Sequence, residues 1–372
     1  MGTASLTLHT GLAPLAWIYG AVTAIRNKLF DQGILPSESF DIPIICIGNL
    51  AVGGTGKTPH TEYLIKLLQD CYQTAVLSRG YKRRTSGYLL ATPQTKVEEI
   101  GDEPYQMHRK FSSVFVAVDE DRRHGIRQLL QSEHTGGIEV VLLDDAFQHR
   151  YVKVGLNILL TDYHRLFCDD KLLPEGRLRE SAYGKSRAQI VIVTKCPDDI
   201  KPIDFNIIAK RLDLFPYQHL YFSAVRYGKL TPLFEKDGAP LPPLKTTEVL
   251  LVTGIASPDD LQETLEREAK RVVSLPFGDH HRFTPQDLDL IKKRFEELPE
   301  GHRLIVTTEK DATRLETHPA LEEWMKAYLY VLPIEIEILQ NQQTTFNKQI
   351  FDYVRENRRD SSFPEREDAH QP

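Results

Sequence analysis

The chain has 372 residues, of which 41% are hydrophobic and 26% are charged, a balance typical of a soluble globular protein with room for two domains. Its formal net charge of −6 argues against nucleic acid as a partner. The four cysteines lie far apart without a CxxC pair, which argues against a zinc site and a disulfide framework and favours a reducing compartment.

The first predicted element is a helix near the amino terminus. Residues 1–11 carry no Lys or Arg, so a secretory signal is not indicated. The uncharged segment 12–25 is shorter than the roughly 20 residues that cross a bilayer, but its Trp17 and Tyr19 favour the membrane–water boundary. Two interpretations stand: a helix lying in the membrane surface, or a helix packed on the core. One helical face would hold Leu12, Leu15, Ala16, Tyr19, Val22 and Leu29.

After this helix, strand-like and helix-like segments alternate, which predicts an α/β fold. Apolar runs rich in Val, Ile and Leu are typical of parallel strands covered on both faces. A first set comprises 43–48, 74–78, 114–118, 140–143, 156–161 and 190–194, and a second set comprises 249–253, 272–275, 304–308 and 330–338. Residues 221–243 contain many turn residues and predict a linker or hairpin.

These patterns predict four parts of the chain. Residues 1–32 form the membrane-associating helix, 33–222 a first α/β domain, and 223–358 a second α/β lobe with the linker. Residues 359–372 are charged with few apolar side chains, which predicts a disordered tail.

The sequence AVGGTGKT matches the Walker A phosphate-binding pattern in the form that begins with Ala or Gly. Its glycines permit a sharp turn whose N–H groups point at phosphate oxygens. Lys57 would place a positive charge at the β- and γ-phosphates, and Thr58 would hold Mg²⁺. An apolar strand precedes the loop and a helix follows it, whereas a glycine-rich turn without a ligand would need neither. The predicted nucleotide-binding residues are Ala51, Val52, Gly53, Gly54, Thr55, Gly56, Lys57 and Thr58.

A second apolar strand ends in two carboxylates, in the sequence VVLLDDAFQH. Because the carboxyl ends of parallel strands meet on the ligand side of an open sheet, Asp144 and Asp145 are predicted to position Mg²⁺. The alternative is an exposed strand end, where Asp is common.

The phosphate-binding loop alone does not separate kinases, GTPases and switch ATPases. The segment TKCP has Pro197 where the guanine-reading N/TKxD motif of GTPases has Asp, and Val52 stands where deviant Walker ATPases carry a further lysine. Both differences favour a nucleotide-dependent enzyme. A membrane-associated ATPase or GTPase switch acting on a protein partner is the alternative, and a kinase for a soluble sugar or nucleoside is a third hypothesis.

Two further polar segments need a role. Arg79, Lys82, Arg83 and Arg84 follow a predicted strand, which suits either an anionic substrate or membrane surface, or a solvated face. The segment Asp279-His280-His281 has the residue types of a metal site or an acid–base pair, and also of an exposed polar turn.

Taken in order, GNLAVGGTGKTP, LSRGYKR, GDEP, DDAFQHR, LLPEGRLRE, GIASP, DHH and TEKDA resemble the tetraacyldisaccharide 4′-kinase (lipid A 4′-kinase) family. The resemblance implies a P-loop NTPase-like α/β/α sandwich and a second, smaller α/β lobe joined by a short β linker. It implies Mg²⁺-dependent transfer of the γ-phosphate of ATP to the 4′-hydroxyl of an acylated glucosamine disaccharide 1-phosphate. The enzyme would act, as a monomer, at the cytoplasmic face of the bacterial inner membrane.

The resemblance also implies roles for individual residues. Asp102 would be the catalytic carboxylate, acting with Lys57 and supported by a histidine of the second lobe, for which we favour His280 over His281. Ala146 replaces the glycine that is commoner in the family, which questions the turn at this point. The implied metal-binding residues are Thr58, Asp144, Asp145 and Gln148, and the implied substrate-binding residues are Arg79, Arg122, Arg123, His149, Arg179 and Glu180.

Overall fold

The computed structural model describes residues 10–234, 242–255, 258–279 and 281–358. The predicted tail, His280 and the first nine residues of the predicted amino-terminal part lie outside these ranges. The strands are β1 Ile44–Asn49, β2 Thr74–Ser78, β3 Leu89–Leu90, β4 Phe115–Val118, β5 Val140–Asp144, β6 Leu156–Asp162, β7 Ile190–Thr194, β8 His219–Tyr227, β9 Thr231–Pro232, β10 Glu248–Thr253, β11 Arg271–Pro276, β12 Arg303–Thr308, β13 Leu329–Leu332 and β14 Ile334–Ile338. The α-helices are α1 Ala13–Asp31, α2 Lys57–Leu68, α3 Val97–Ile100, α4 Asp102–Lys110, α5 Arg122–Gln131, α6 Pro202–Leu212, α7 Asp259–Glu268, α8 Pro285–Glu296, α9 Glu309–Glu316, α10 Glu323–Lys326 and α11 Gln343–Glu356.

The larger sheet has the strand order β14-β8-β7-β6-β1-β5-β2-β4-β3. Its strands are parallel except for β3 and β14 at the two edges. In the central strand β1, Ile44 and Cys46 pack into one core, whereas Ile45 and Ile47 pack into the core on the opposite face. Both faces are therefore covered, which explains the continuous apolar runs in the sequence.

The smaller sheet has the order β11-β10-β12-β13-β9 and is parallel except for β9. Its interior strand β10 is buried along its whole length. Leu250 and Val252 pack with Phe295 on one face, and Val249 and Leu251 pack on the other. The second set of predicted strands, apart from the end of 330–338, therefore forms a separate core.

The connection between the two sheets differs from the prediction. Residues 219–227, which overlap the predicted linker, form the long strand β8 of the larger sheet. The predicted strand 330–338 is divided at Pro333 into β13 and β14, which lie in different sheets, because proline cannot donate a backbone hydrogen bond to a strand ladder. The Gly228 N–H donates to the Pro333 carbonyl at 2.9 Å, where the two crossing segments meet.

The carboxy-terminal elements return to the larger sheet. Strand β14 pairs antiparallel with β8, and α11 packs against the core of the larger sheet through Phe346, Ile350 and Val354. The predicted boundaries place these residues in the second lobe, because position in the chain does not show the pairing between β14 and β8.

Helix α1 packs against the larger lobe with one side. Ala16 is buried, the Tyr19 hydroxyl donates to the Arg179 carbonyl at 2.7 Å, and a Cβ on Gly20 would lie 2.6 Å from a methyl carbon of Leu172. The predicted apolar face of this helix is therefore not one surface, since Ala16 and Tyr19 contact the larger lobe whereas Leu15 and Val22 are exposed. The opposite side, called here the exposed face of α1, comprises Leu15, Trp17, Ile18, Val22 and Ile25. Within the described ranges, no helix combines the length and the apolarity that crossing a bilayer requires.

Candidate active site

The phosphate-binding loop connects β1 to α2 in a shape that requires glycine. Gly53 has a φ of 117° and Gly56, which precedes α2, has a φ of 82°, both in the left-handed region that other residues rarely adopt. The Asn49 amide donates to the Thr55 hydroxyl at 2.8 Å, and the Thr194 hydroxyl donates to the Thr55 carbonyl at 3.0 Å. The loop is thus held in position at the amino terminus of a helix, a setting that favours anions.

A buried histidine fixes the start of α2. The His60 Nδ1 lies 2.7 Å from the Gly56 carbonyl, which can only accept, so Nδ1 carries the proton. Its Nε2, 2.9 Å from the Ser223 hydroxyl, then accepts. Burial lowers the pKa of His60 to about 4, and the neutral ring therefore joins the phosphate-binding loop to β8.

The two carboxylates that end β5 have different surroundings. Asp144 is buried and accepts from the Thr61 hydroxyl at 3.1 Å. Burial, together with the charge of Asp145, raises the pKa of Asp144 to about 6. Burial also acts on Asp145, but the charges of Lys57 and Arg179 outweigh it and hold the pKa of Asp145 below its usual range.

Asp145 faces two cationic side chains, Lys57 at the end of the phosphate-binding loop and Arg179. Its carboxylate lies 3.7 Å from the Lys57 Nζ and 3.1 Å from an Arg179 nitrogen. The left-handed residue of this turn is Asp145 itself, with a φ of 47°. Ala146 is buried without requiring that conformation, so the missing glycine does not prevent the turn.

The residues around Asp144 and Asp145, called here the acid pair, suit Mg²⁺. Thr58 lies one turn before Thr61 on α2, and Thr61 contacts Asp144, so Thr58 faces the same edge as the two carboxylates. In the described ranges, no group of three or more His, Cys, Asp or Glu side chains could hold a metal alone. Mg²⁺ is usually bound by one or two carboxylates and the phosphates of a substrate, which this oxygen donor set could provide.

Gln148 is engaged on both sides of its amide. Its nitrogen donates to the Asn49 carbonyl at 2.8 Å and to Glu180 at 3.0 Å, and its oxygen accepts from Arg179 at 3.2 Å. Glu180 also accepts from Asn27 of α1 at 2.8 Å. Gln148, Arg179 and Glu180 therefore form one network that connects α1 to the edge of the phosphate-binding loop.

The predicted substrate-binding residues divide into two groups. Arg122 is 3% exposed, its Nε finds no partner among the described residues, and burial lowers its pKa while Asp144 and Asp145 oppose this effect. Burial and the charge of Arg122 lower the pKa of His149 to about 4. Arg122 and His149 therefore lie near the acid pair. Arg79 is exposed, and its charge also acts on the pKa of Arg122. Arg123 instead forms a surface ion pair with Asp121 at 2.7 Å.

Asp102 is the first residue of α4 and lies between the lobes. Arg314 of α9 binds both of its carboxylate oxygens, at 3.2 and 2.6 Å. The ring of His281, one of the two histidines considered as its support, lies 2.9 Å from Asp287, and His280 is outside the described residues. The charge of Glu103 acts on the pKa of Asp144, so the start of α4 lies near the acid pair.

A cavity of about 260 Å³ opens beside Asp102. Its lining has more cationic than anionic side chains, with Lys82, Arg84, Arg282 and Arg314 beside Glu98 and Asp102. An anionic ligand would therefore be attracted to the side of the cleft where Asp102 lies.

Comparison with known proteins agrees with this architecture. The sequence profile described as tetraacyldisaccharide-1-P 4′-kinase (LpxK) matches residues 8–355. The chain belongs to this family. It is 64% identical to the tetraacyldisaccharide 4′-kinase of Bacteroides thetaiotaomicron over 375 residues, covering 98% of each chain, and 43% identical to that of Porphyromonas gingivalis W83, covering 91% of this chain and 95% of the other.

A solved structure of the family has the same fold. The crystal structure of LpxK from Aquifex aeolicus in complex with ATP matches with a TM-score of 0.71 and 28% identity, covering 93% of this chain and 99% of the other. The predicted family and the predicted α/β fold class are confirmed.

Two arginines in this member of the kinase family were missed by the sequence analysis. Arg177 belongs to the segment LLPEGRLRE. Its guanidinium lies 4.0 Å from where a Cβ of Gly53 would be, and its carbonyl accepts from the Val52 N–H at 2.8 Å. Its spacing of two residues from Arg179 is a signal, because side chains alternate along an extended segment. Arg314 lies three residues after Asp311, a spacing that places both on one helical face.

Proposed function

We propose that this protein is an ATP-dependent kinase that transfers the γ-phosphate to the 4′-hydroxyl of a tetraacyldisaccharide 1-phosphate, a step in lipid A biosynthesis. The observation that carries the proposal is the proximity of three features: Lys57 of the phosphate-binding loop lies 3.7 Å from Asp145, and the start of α4, where Asp102 stands, lies near Asp144. The curated relatives carry this activity in their names, and the A. aeolicus structure contains ATP.

The side chains of the cleft suit phosphoryl transfer. The loop at the start of α2, with Lys57 and Arg177, would bind the phosphates and neutralise their charge. Asp102 would accept a hydrogen bond from the sugar hydroxyl and orient its oxygen toward the γ-phosphorus. It would take the hydroxyl proton as the new O–P bond forms, while the bond from the γ-phosphorus to the bridging oxygen breaks and ADP leaves with that oxygen. Mg²⁺, held by Thr58 and the acid pair, would add positive charge at the phosphoryl oxygens.

The exposed face of α1 supports peripheral attachment to the cytoplasmic face of the inner membrane. Trp17 is 76% exposed, and four aliphatic side chains accompany it on this face. A lipid with four acyl chains does not readily leave a bilayer, since each buried CH₂ contributes about 0.8 kcal/mol. An enzyme for such a lipid would therefore have to work at the membrane surface.

A lipid-product assay with γ-labelled ATP tests the proposal. We expect labelled 4′-phosphorylated lipid with the wild type and none above background with Lys57→Ala. Asp102→Asn should lower turnover by about 10²-fold or more while retaining MgATP binding in calorimetry. The exposed Lys153→Ala serves as a control with normal activity. Hydrolysis of ATP by folded wild type without labelled lipid would instead favour a switch ATPase.

A further inference from the structure

A row of ion pairs joins α4 of the larger lobe to α9 of the smaller lobe. The pairs occur along the whole length of both helices, from the cleft outward. They are Asp102–Arg314 at 2.6 Å, Glu103–Lys310 at 3.5 Å, Arg109–Glu316 at 2.6 Å and Lys110–Glu309 at 2.5 Å. The first of them involves the candidate base.

The smaller lobe holds the guanidinium of Arg314 in place. The side chain is 8% exposed, and its Nη1 donates to the His281 carbonyl at 3.0 Å and to Asp311 at 3.2 Å. Asp311 is itself fully buried and accepts from the Gly254 N–H and the Thr308 hydroxyl, each at 2.8 Å. The fork that Arg314 presents to Asp102 is therefore oriented by several contacts within the smaller lobe.

We propose that Arg314 is a positioning residue for phosphoryl transfer, which fixes the plane of the Asp102 carboxylate only when the smaller lobe is seated against α4. This role rests on the proposed kinase function. A carboxylate has about four lone-pair positions. The two bonds from Arg314 use one position on each oxygen, which is fewer than a carboxylate offers. The bonds to Arg314 therefore do not by themselves prevent Asp102 from accepting the hydroxyl proton, and they determine the direction in which it accepts.

Arg314 also acts on Asp102 through its charge. Among the described residues, the charged or titratable side chains near this point include Glu103, paired with Lys310, on α4, Glu98 on α3, and Tyr81, Lys82 and Arg84 after β2. The smaller lobe adds Asp311, His281, Arg282 and His318. Nitrogens of Arg314 lie within hydrogen-bond distance of both Asp102 oxygens. Its positive charge favours the ionised carboxylate, which is the form that accepts a proton.

Two substitutions separate orientation from charge. Arg314→Met removes both, so we expect kcat to fall by about 10²-fold. The acid limb of its pH–kcat profile should move to higher pH, because the charge of Arg314 favours the ionised carboxylate. Arg314→Lys keeps the charge without the planar fork, so its acid limb should stay near that of the wild type while kcat falls by about tenfold.

Arg109→Met is the matched control, because it removes another ion pair between the same helices without touching Asp102. It should leave kcat and the pH profile within about twofold of the wild type, since exposed pairs contribute little. MgATP calorimetry on each variant reports whether the nucleotide lobe is folded; if Arg314→Met does not bind MgATP, Arg314→Lys decides the question.

Unchanged kcat in both Arg314 variants would overturn the proposal. An equal loss in Arg109→Met would also overturn it, because lobe docking rather than the orientation of Asp102 would then be responsible. If the wild type itself makes no labelled lipid, the proposed function fails first, and the positioning role fails with it.

Discussion

Replacing His60 by asparagine should remove a pH-dependent part of the stability of the larger lobe. Asn keeps a donor for the Gly56 carbonyl but has no group that titrates. In the wild type, burial lowers the pKa of His60 from the usual 6.5 to about 4. The stabilisation is therefore fully present above pH 6.5 and is lost as the pH falls toward 4. Between pH 7 and pH 5, linkage gives a loss of about 2 kcal/mol through this one histidine.

Urea denaturation at pH 7 and pH 5, followed by circular dichroism, measures this difference. Other groups titrate in the same range: the pKa of His149 is lowered to about 4 and that of Asp144 is raised to about 6. Their contributions cancel when the change between the two pH values is compared in wild type and variant. His60→Asn should be about 1 kcal/mol less stable at pH 7, through the lost bond to Ser223, but should lose about 2 kcal/mol less than the wild type on acidification.

The exposed His134→Asn is the control, and it should follow the wild type at both pH values. An identical loss of stability on acidification in wild type and His60→Asn would refute the reasoning. It would mean that folding does not lower the pKa of His60.

Three further outcomes are expected. Lys110→Met should lower the free energy of unfolding by about 3 kcal/mol, because it leaves the buried Glu62 without its cation. That loss should be smaller at pH 5 than at pH 8 in urea denaturation, since burial raises the pKa of Glu62 and the carboxyl can take up a proton. Arg177→Ala should raise the KM for MgATP about fivefold in the lipid-product assay with the KM for lipid unchanged, and equal changes in both would contradict a role at the phosphates. Ile18→Asp should weaken sedimentation with anionic lipid vesicles by about tenfold or more, whereas Leu130→Asp, which changes an exposed apolar residue on another helix, should have no effect.

Local sequence patterns were sufficient for the phosphate-binding loop and most strands. Gly53 and Gly56 adopt the left-handed backbone that their residue type permits, and the acid pair ends β5 as its position after an apolar run predicts. These features depend on residues within one strand, turn and helix. Residues close together in the sequence therefore determine these features, which can be predicted without knowledge of the fold.

The sequence patterns did not reveal which distant segments pair. The return of β14 to β8, the division at Pro333 and the contact face of α1 all depend on partners far away in the chain. The same holds for Arg314, which stands 212 residues from Asp102. By itself, the sequence determined the family, the glycine-rich loop between β1 and α2 and the alternation of strands and helices. Only the tertiary structure decided which charges meet in the cleft, because burial and pairing free energies depend on what the folded chain brings into contact.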